Sequence, residues 1–531
     1  MKIGTTKNSY FICFLLLLQN VTAKNIIGQG GNNLEEEVKR SEFPDGFLFG
    51  TSTSAYQIEG AYIEDGRSLS NWDVYCRING RIPNGGSGDI ADDHYHRYLE
   101  DIDRMASLGV NAYRFSISWS RILPRGRFGA VNPAGIRFYN NIIVNLLLKG
   151  ITPFVTIHHY DYPQEFEDRY GAWLSPLMQE EFVHFAETCF KSFGDRVKYW
   201  STMNEPNLFA EMAYLKGVFP PSHCSPPFGK CSSGNSDVEP LLAVHNSILA
   251  HAKAVKLYRR QFQAKQGGMI GMVASAYMYK PMTDDEADTK AATRALAFHV
   301  AWLLDPLVYG DYPIEMREYH GKKLPKFSSE EKRLIKNSTD FIGLNHYTTW
   351  FVKDCLHSNC TCTDTDVLCT HGENRAIGGF LLITGQKDGA SIGDPMGMPG
   401  VYVVPQGMEE IVDYVNKRYN NTPIFVTENG YASNENQGGG YDLDQDMKRI
   451  KYHKAYLASL ARSIRNGADV RGYFIWSLMD NFEWRFGYTI KFGLYHVDPL
   501  TLDRSPKLSA QWYKNFLTNS SLNDIQAKSS I

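Results

Sequence analysis

The segment PIFVTENGYAS, residues Pro423 to Ser433, joins an apolar run directly to a carboxylate and a turn. Residues 423–427 have the length and the apolar character that are typical of a buried strand. Glu428 follows this run at once, and Asn429-Gly430 then marks a turn. A charge at the end of a buried strand is costly unless it has a partner or a function. The segment therefore predicts a strand that ends at a functional site.

Eight short runs of β-forming residues alternate with longer helical patterns along the chain. They are GFLFGTSTSA, NAYRFSISW, TPFVTIHH, VKYWSTMNE, MIGMVASAYMY, FIGLNHY, PIFVTENG and RGYFIWSLMD. Strands separated by helices are typical of a parallel sheet, and eight such units predict an α/β protein with a closed (β/α)8 TIM barrel. The alternative is a doubly wound open sheet, but no glycine-rich phosphate loop follows the first run.

The chain divides into one large domain and short terminal segments. We expect the barrel over residues 44–518, with long loops after the fourth and sixth strands. Residues 1–23 resemble a signal peptide, because their apolar run is too short to span a bilayer; a membrane anchor is the alternative. Residues 24–43 are predicted to be an N-terminal arm and 519–531 a C-terminal tail. Secretion to the extracellular space of the cell wall is therefore expected, with the vacuole as the alternative.

The composition is that of an ordinary soluble protein and indicates no charged macromolecular partner. Hydrophobic residues make up 43% of the 531 residues and charged residues 21%, so the chain can bury a large core. The net charge is −3, and no basic patch or polybasic segment indicates nucleic acid or an anionic membrane as a partner. Aromatic residues reach 13%, which serves either core filling or stacking on sugar rings.

The cysteines favour disulfide bonds over a metal site. Cys224 and Cys231 bracket the loop SPPFGK, which a disulfide bond between them would close. In an exported protein disulfide bonds are favoured over zinc, the competing interpretation of a second, polar cluster of cysteines. The pairing in that cluster stays open, because four cysteines allow three connectivities. The cluster consists of Cys355, Cys360, Cys362 and Cys369.

Sequons for N-glycosylation fit an exported chain. The predicted sites are Asn337, Asn359, Asn420 and Asn519. Pro423 follows the third of these sequons closely, which lowers its expected use.

Polar side chains stand at the ends of most predicted strands. The fourth run ends on Asn204-Glu205 and the seventh on Glu428-Asn429, so that a carboxylate beside an amide occurs twice. In a barrel such strand ends build the active site. Two carboxylates in one pocket are what glycoside cleavage requires, provided that their surroundings separate their pKa values. The polar and aromatic side chains at the other strand ends are Gln57, Arg114, His159, Asn345, Tyr347, Trp476, Glu483 and Trp484.

These motifs together resemble family 1 of the glycoside hydrolases, and within it the plant β-glucosidases. TMNEP, VTENG, SAYQIEG, YRFSISW, WSLMDNFEW and FGLYHVD occur in the family's order and spacing, from Phe47 to Asp498. The resemblance implies a barrel that hydrolyses β-D-glucosides with retention of the anomeric configuration. It implies a small-molecule β-glucoside as partner and neither a metal nor an organic cofactor, and it leaves the oligomeric state open.

Carried over position by position, the resemblance implies a role for each side chain at the site. Glu428 would be the nucleophile and Glu205 the general acid/base, with their carboxyl groups about 5–5.5 Å apart as in retaining enzymes. Arg114 and Tyr347 would flank Glu428 and keep it ionised and oriented. Asn204 would bind the 2-hydroxyl group of the sugar. The remaining substrate-binding residues implied are Gln57, His159, Asn345, Trp476 as the ring platform, Glu483, Trp484 and Phe492.

Within the family, long segments resemble members that act on glucosides of monolignols such as coniferin. These segments are TIHHYDYPQEFEDRYGAW, NEPNLFAEMAYLKGVFPPSHCSPPFGKCS and NHYTTWFVKDCLHSNC. Four positions depart from the family pattern: Met203, Tyr160, Gly400 and Lys491. Gly400 stands where plant members commonly place a tryptophan beside the aglycone, which predicts a wider aglycone slot. Tyr160 stands where the family often has tryptophan, and we expect it to tune activity.

Four other functions use the same residues or the same fold. A β-glucosidase acting on oligosaccharides or on other aglycones would need the same catalytic pair. A transglucosidase would also use that pair, with an acceptor other than water. A thioglucosidase is disfavoured, because those relatives replace the acid/base glutamate by glutamine and Glu205 is present. A non-catalytic sugar-binding barrel is disfavoured, because both glutamates are retained.

Overall fold

Eight parallel strands close into a barrel, which confirms the predicted fold. The structure is a computed structural model that describes residues 37–362, 368, 372–434 and 443–528, with the backbone alone for 443–445 and 519–528. Each strand overlaps one of the eight predicted runs, and the first pairs with the eighth to close the sheet. The strands β1 to β8 are Leu48–Ser52, Ala112–Ser116, Thr152–His158, Tyr199–Asn204, Met269–Ser275, Phe341–Asn345, Ile424–Asn429 and Val470–Trp476.

Aromatic side chains fill the barrel beneath the C-terminal ends of its strands. Phe154, Phe341, Phe425 and Phe474 form a buried cluster in which neighbouring ring centroids lie 5.1–5.5 Å apart. Such a layer is the packed interior expected of a parallel barrel of eight strands. Apolar rings fill this part of the interior. The polar side chains at the strand ends lie together at the opposite, C-terminal mouth, because all eight strands are parallel.

The connecting helices present apolar faces to the barrel. In the helix Pro133–Leu148 the side chains of Phe138, Ile142 and Leu146 are buried, as residues four apart on one helical face should be. Its first turn is fixed by Asn132, whose side chain accepts a hydrogen bond from the backbone N–H of Ala134 at 3.1 Å. The α-helices are Ala55–Ile58, Asn71–Cys76, His94–Leu108, Trp119–Ile122, Pro133–Leu148, Gln164–Tyr170, Leu177–Phe193, Pro206–Ala210, Glu239–Gln261, Gln263–Gln266, Glu286–Leu296, Trp302–Tyr309, Ile314–His320, Ser329–Ile335, Gln406–Arg418, Leu443–Arg465 and Leu508–Lys528.

The fifth predicted run covers two strands rather than one. The chain leaves the barrel after Ser275, and Met278–Pro281 joins a separate sheet with Thr349–Asp354 and Leu381–Thr384. Only two residues separate the two strands, and both strands are rich in apolar residues. The sequence pattern therefore shows no break at the point where the backbone leaves the barrel.

Disulfide bonds lie in both long loops. Cys224 is bonded to Cys231 after β4, with an S–S distance of 2.08 Å, and Cys355 to Cys360 after β6. Cys362 is also disulfide-bonded, and Cys369 lies outside the described residues. The sequon residues Asn337, Asn359 and Asn420 are exposed, whereas the side chain of Asn519 is outside the described part of the chain.

The described residues include the end of the predicted arm and the start of the predicted tail. The predicted signal peptide lies outside the described residues, as does most of the arm. Val38 and Phe43 at the end of the arm are buried, and the guanidinium of Arg40 lies 4.6 Å from the centre of the Phe49 ring. The last helix, Leu508–Lys528, continues past residue 518, where the tail was predicted to begin. Among the described residues no helix is both long enough and apolar enough to cross a membrane.

Candidate active site

Glu205 and Glu428 lie at the C-terminal ends of β4 and β7 and line one cavity of about 220 Å³. The backbone of Glu205 adopts a φ of 42°, and its N–H donates to the carbonyl of Val273 on β5 at 2.9 Å. This left-handed conformation is costly for a residue other than glycine, and it occurs most often at functional sites. The end of β4 therefore turns a carboxyl group into the cavity at the expense of backbone strain.

A cation and a phenol hold the Glu428 carboxylate. Arg114 on β2 places Nη1 2.5 Å from Oε1 of Glu428, and the hydroxyl of Tyr347 donates to Oε2 at 2.7 Å. Arg114 and Glu428 are 0% and 4% exposed, so water screens their attraction little. Burial and the charge of Glu428 raise the pKa of Tyr347 well above its usual value, which keeps the phenol a donor. These contacts hold both oxygens of the Glu428 carboxyl group in a fixed orientation beside a cation.

The Asn204 amide connects the two carboxylates. Its Oδ1 accepts hydrogen bonds from Nη2 of Arg114 at 2.6 Å and from Nδ2 of Asn345 at 3.1 Å. Its Nδ2 therefore points the other way, 3.2 Å from Oε2 of Glu205 and 3.1 Å from Nε2 of His159. The network fixes the orientation of the amide and links β2, β4 and β6 across the barrel mouth.

His159 lines the cavity and carries one buried ring nitrogen without a hydrogen-bond partner among the described residues. Because Asn204 donates to Nε2, we assign the ring proton to Nδ1, which has no hydrogen-bond partner among the described residues. Burial and the nearby Arg114 charge lower the pKa of His159 well below its usual value, so the ring stays neutral. The cavity lining therefore includes an uncharged imidazole at this position.

Glu205 has surroundings unlike those of Glu428. Its Oε2 accepts a hydrogen bond from the hydroxyl of Tyr160, and Arg114 makes its ion pair with Glu428 instead. Burial and the negative charge of Glu428 raise the pKa of Glu205 to about 8, although the Tyr160 bond opposes the shift. Near neutral pH this carboxyl group is therefore mainly protonated.

Glu483, after β8, is a third buried carboxyl group. Burial, and then the charge of Glu428, raise its pKa to about 8. Gln57 lies 3.5 Å from it, but the same Gln57 amide donates more closely to the Phe482 carbonyl, at 2.8 Å, and to Asn481, at 3.0 Å. Gln57 is thus fixed by the protein and supports the segment that carries Glu483.

The structure brings all twelve predicted site residues to the barrel mouth, in two layers. Eight of them line the cavity, and four lie buried beneath its wall. The buried four are Gln57, Arg114, Asn204 and Asn345, and the lining residues are His159, Glu205, Tyr347, Glu428, Trp476, Glu483, Trp484 and Phe492. The rings of Trp476 and Trp484 each stack on His159 with centroids 5.9 Å apart, which gives the cavity an apolar wall beside its polar floor.

A second group of side chains extends the site away from the carboxylates. The ring of Tyr277 lies 4.2 Å from that of Trp350 and 4.7 Å from that of His299. Glu211 and Lys216 form an ion pair of 2.7 Å beside these rings. Glu211, Lys216 and Trp350 also line a neighbouring cavity of about 140 Å³. This outer region combines flat aromatic surface with polar groups.

Gly400 lies in the wall of this outer region. It has a φ of 78°, a conformation that side-chain-bearing residues rarely adopt, and its carbonyl accepts a hydrogen bond from Nε1 of Trp350 at 2.8 Å. An indole is therefore present here after all, contributed by Trp350 from a different loop. The expected width of the slot depends on this residue as well as on Gly400.

Sequence reasoning did not assign the Tyr160 bond or the outer region. Tyr160 directly follows His159, so its position after β3 was a usable signal. Glu211, Tyr277 and Trp350 are far apart in sequence, and no local pattern shows that they meet. Among the described residues no cluster of three or more His, Cys, Asp or Glu side chains could hold a metal ion.

Comparisons with known proteins agree with the fold and show the family. The model of glycosyl hydrolase family 1 matches residues 39–522. The chain is 56% identical to "Probable inactive beta-glucosidase 14" of Oryza sativa subsp. japonica, over 91% of this chain and 92% of the relative. It is 49% identical to "Coniferin beta-glucosidase" of Pinus contorta, over 93% and 95%. A rice β-glucosidase mutant in a covalent complex with Glc superposes with a TM-score of 0.84 at 43% identity, covering 90% of this chain and 99% of that chain.

Proposed function

The chain belongs to glycosyl hydrolase family 1 and is an O-glycosyl hydrolase of the β-glucosidase type, and we propose that it cleaves glucosides of phenylpropanoid alcohols, such as coniferin, by double displacement. The observation that carries the proposal is the contrast between two buried carboxyl groups in one cavity. Glu428 is paired with Arg114, whereas the pKa of Glu205 is raised to about 8. One group is thus ready to attack while the other is ready to donate a proton.

In the first step the Glu428 carboxylate attacks the anomeric carbon. The bond from that carbon to the aglycone oxygen breaks, and the electron pair stays with the leaving oxygen. Glu205 gives this oxygen its proton. The product is a glucosyl ester of Glu428 and the free alcohol. The covalent complex with Glc in the similar rice structure supports an intermediate of this kind.

In the second step Glu205, now ionised, removes a proton from water. The water oxygen bonds to the anomeric carbon, and the ester bond to Glu428 breaks with return of the electron pair to its carboxylate. Ester formation has removed the Glu428 charge, so the main electrostatic cause of the raised Glu205 pKa is gone and the group can act as a base.

Glucose recognition uses the inner layer of the cavity. Trp476 offers the ring platform, His159 a neutral imidazole, and Glu483 a carboxyl group for two hydroxyl groups. The family resemblance assigns the 2-hydroxyl group to Asn204, whose amide lies beneath the cavity wall between the two glutamates. These roles are the ones that the family resemblance implies, and mutation of any one should raise KM or lower kcat for every glucoside alike.

The proposed phenylpropanoid aglycone fits the outer region. A flat phenolic ring would lie along Tyr277 and Trp350, and its polar substituents would meet Glu211 and Lys216. The similarity to the coniferin β-glucosidase of Pinus contorta supports this substrate class. The similarity to a probable inactive enzyme makes the activity measurement the first requirement.

The test compares coniferin-type glucosides, cello-oligosaccharides and a simple aryl glucoside at equal concentrations. We expect kcat/KM to be highest for the phenylpropanoid glucosides. Trp350→Ala should lower that value at least about tenfold, because an aromatic contact is lost, and should change hydrolysis of the simple aryl glucoside less. A lead for cello-oligosaccharides would contradict the substrate class and leave the catalytic pair standing.

Two outcomes of the same experiment would favour the alternative functions. Glucose that appears on an added alcohol acceptor rather than in water would indicate a transglucosidase. No cleavage of any glucoside, with glucose binding retained, would indicate a sugar-binding barrel. Separate assays of released glucose and released aglycone distinguish these two outcomes: transfer releases aglycone without an equal amount of glucose, and absence of cleavage releases neither.

We also propose export and glycosylation of the chain. The disulfide bonds of both long loops and the exposed sequon residues Asn337, Asn359 and Asn420 support this proposal. Expression of the full chain in plant cells should yield protein in the cell-wall fluid whose electrophoretic mobility rises after enzymatic removal of N-glycans. Protein found in the vacuole would contradict export to the cell wall. An unchanged mobility would contradict N-glycosylation.

A further inference from the structure

Tyr160 is a buried residue of the cavity wall whose ring is packed on several sides. It lies just after β3 with a φ of 73°, and it is 2% exposed. Its ring packs against Phe209, Phe219 and Trp484 with centroids 5.5, 5.9 and 5.1 Å apart. This packing fixes the direction of the phenol hydroxyl, which donates to Oε2 of Glu205.

The bond distinguishes between the two protonation states of Glu205. Burial and the charge of Glu205 raise the pKa of Tyr160 well above its usual value, so the phenol remains an O–H donor. A donor stabilises a carboxylate more than a neutral carboxyl group. Asn204 donates to the same oxygen at 3.2 Å, which adds to the preference.

We propose that Tyr160 is a positioning residue that fixes the Glu205 carboxyl group in one orientation and biases it toward the ionised form that the second step requires. The inference rests on the proposed function, because it acts through the acid/base role of Glu205. It assigns a purpose to a position at which the family often has tryptophan, a side chain without a hydroxyl group.

The bias matters because the same group must serve both steps. In the first step protonated Glu205 delivers its proton to the leaving oxygen, and the Tyr160 O–H keeps its own proton throughout. In the second step the Glu205 carboxylate takes a proton from water as the water oxygen bonds to the anomeric carbon. A donor at Oε2 favours the second of these states and opposes the burial that favours the first.

Other groups around Glu205 also set its charge state, and they define the background of the test. Glu428 and Glu483 are the acidic groups, and Arg114 is the cation held on the opposite carboxylate. His159 is neutral, and Tyr347 and Tyr277 remain protonated because burial raises their pKa values. Glu211 and Lys216 form an ion pair with each other in the outer region. Tyr160→Phe changes none of these groups.

The test is Tyr160→Phe, which keeps the packed ring and removes only the donor. We expect the alkaline limb of kcat/KM for an alkyl glucoside to move up by about one pH unit, a tenfold change in the protonation equilibrium of Glu205. Hydrolysis of the glucosyl-enzyme at low pH should slow by a similar factor, because less Glu205 is ionised. KM should change little.

Tyr162→Phe is the matched control. Tyr162 is equally buried and donates to Glu167 at 3.0 Å, outside the cavity, so its loss should leave both limbs in place. The second control is Tyr160→Phe in a Glu205→Gln background, where an effect that acts through Glu205 must disappear. An unshifted limb in Tyr160→Phe, an equal shift in Tyr162→Phe, or a shift that persists without Glu205 would each overturn the proposal.

A measurement without turnover separates this proposal from the proposed function. Infrared difference titration, with Glu205→Gln as the reference, reports protonation of the Glu205 carboxyl group directly. We expect its pKa to rise by about one unit in Tyr160→Phe even in a chain that cleaves no glucoside. An unchanged value would overturn the inference, whereas inactivity of the wild-type chain on every glucoside would overturn only the function.

Discussion

The ends of β4 and β7 carry the same side chain in opposite surroundings. At the end of β7 a guanidinium and a phenol reach Glu428 within 2.7 Å. At the end of β4 Glu205 receives a phenol and an amide, and the Glu428 charge helps to raise its pKa. The difference teaches that the surroundings of each strand end, with Arg114 and Tyr347 on Glu428 and burial beside a negative charge at Glu205, divide the two glutamates into a nucleophile and an acid.

The largest expected effect follows from removing the paired carboxylate. Glu428→Gln leaves no group that can form the glucosyl ester, so kcat should fall by on the order of 10⁴ or more for every substrate. Mass spectrometry of the quenched protein should show no glucosyl adduct. An unchanged melting temperature is the control for folding, and an adduct on another residue would reverse the assignment of the two glutamates.

Removal of the raised carboxyl group should have a smaller and more selective effect. Glu205→Gln should lower kcat/KM for alkyl glucosides about 10²–10⁴-fold, because the leaving oxygen receives no proton. Aryl glucosides with acidic phenols should lose much less in this first step. The glucosyl-enzyme should then accumulate, and added azide should accelerate its breakdown. Equal losses of kcat/KM for all leaving groups would contradict the role of Glu205 as proton donor to the leaving oxygen.

Removing the Tyr347 hydroxyl group tests how well Arg114 alone supports Glu428 as the nucleophile. Tyr347→Phe removes one hydrogen bond to a carboxylate, an interaction of about 1.5–3 kcal/mol, so kcat/KM should fall roughly 10- to 100-fold. Tyr162→Phe provides the matched loss of a phenol-to-carboxylate bond outside the cavity. A fall of the same size in the control would assign the effect to the fold rather than to Glu428.

The smallest expected effect is the pH dependence of kcat/KM in the unmodified protein. Glu205 must be protonated to donate, so kcat/KM should fall as the pH rises past its pKa of about 8, by about tenfold between pH 7 and 9. Because the pKa of Glu483 is also about 8, two variants identify the group responsible. The limb should vanish in Glu205→Gln and persist in Glu483→Gln, and the reverse would assign it to Glu483.

The barrel was predictable because its signal is local and repeated. Each of the eight strands is an apolar run between helical patterns, and burial of both sheet faces dictates that composition. The strand end after Ser275 was misjudged because the apolar pattern continues into the next strand, Met278–Pro281. A strand that leaves the barrel and a strand that stays in it can both be rich in apolar residues, although Met278–Pro281 is only partly buried.

The sequence by itself determined the barrel, the two strand-end glutamates and the residue types around them, because alternation and motif spacing are properties of neighbouring residues. Only the tertiary structure decided how those residues share their hydrogen bonds. It paired Arg114 with Glu428, aimed Tyr160 at Glu205, and brought Trp350 across from another loop to Gly400. Such contacts join residues up to several hundred positions apart, and they form only when the barrel closes and excludes water from its mouth.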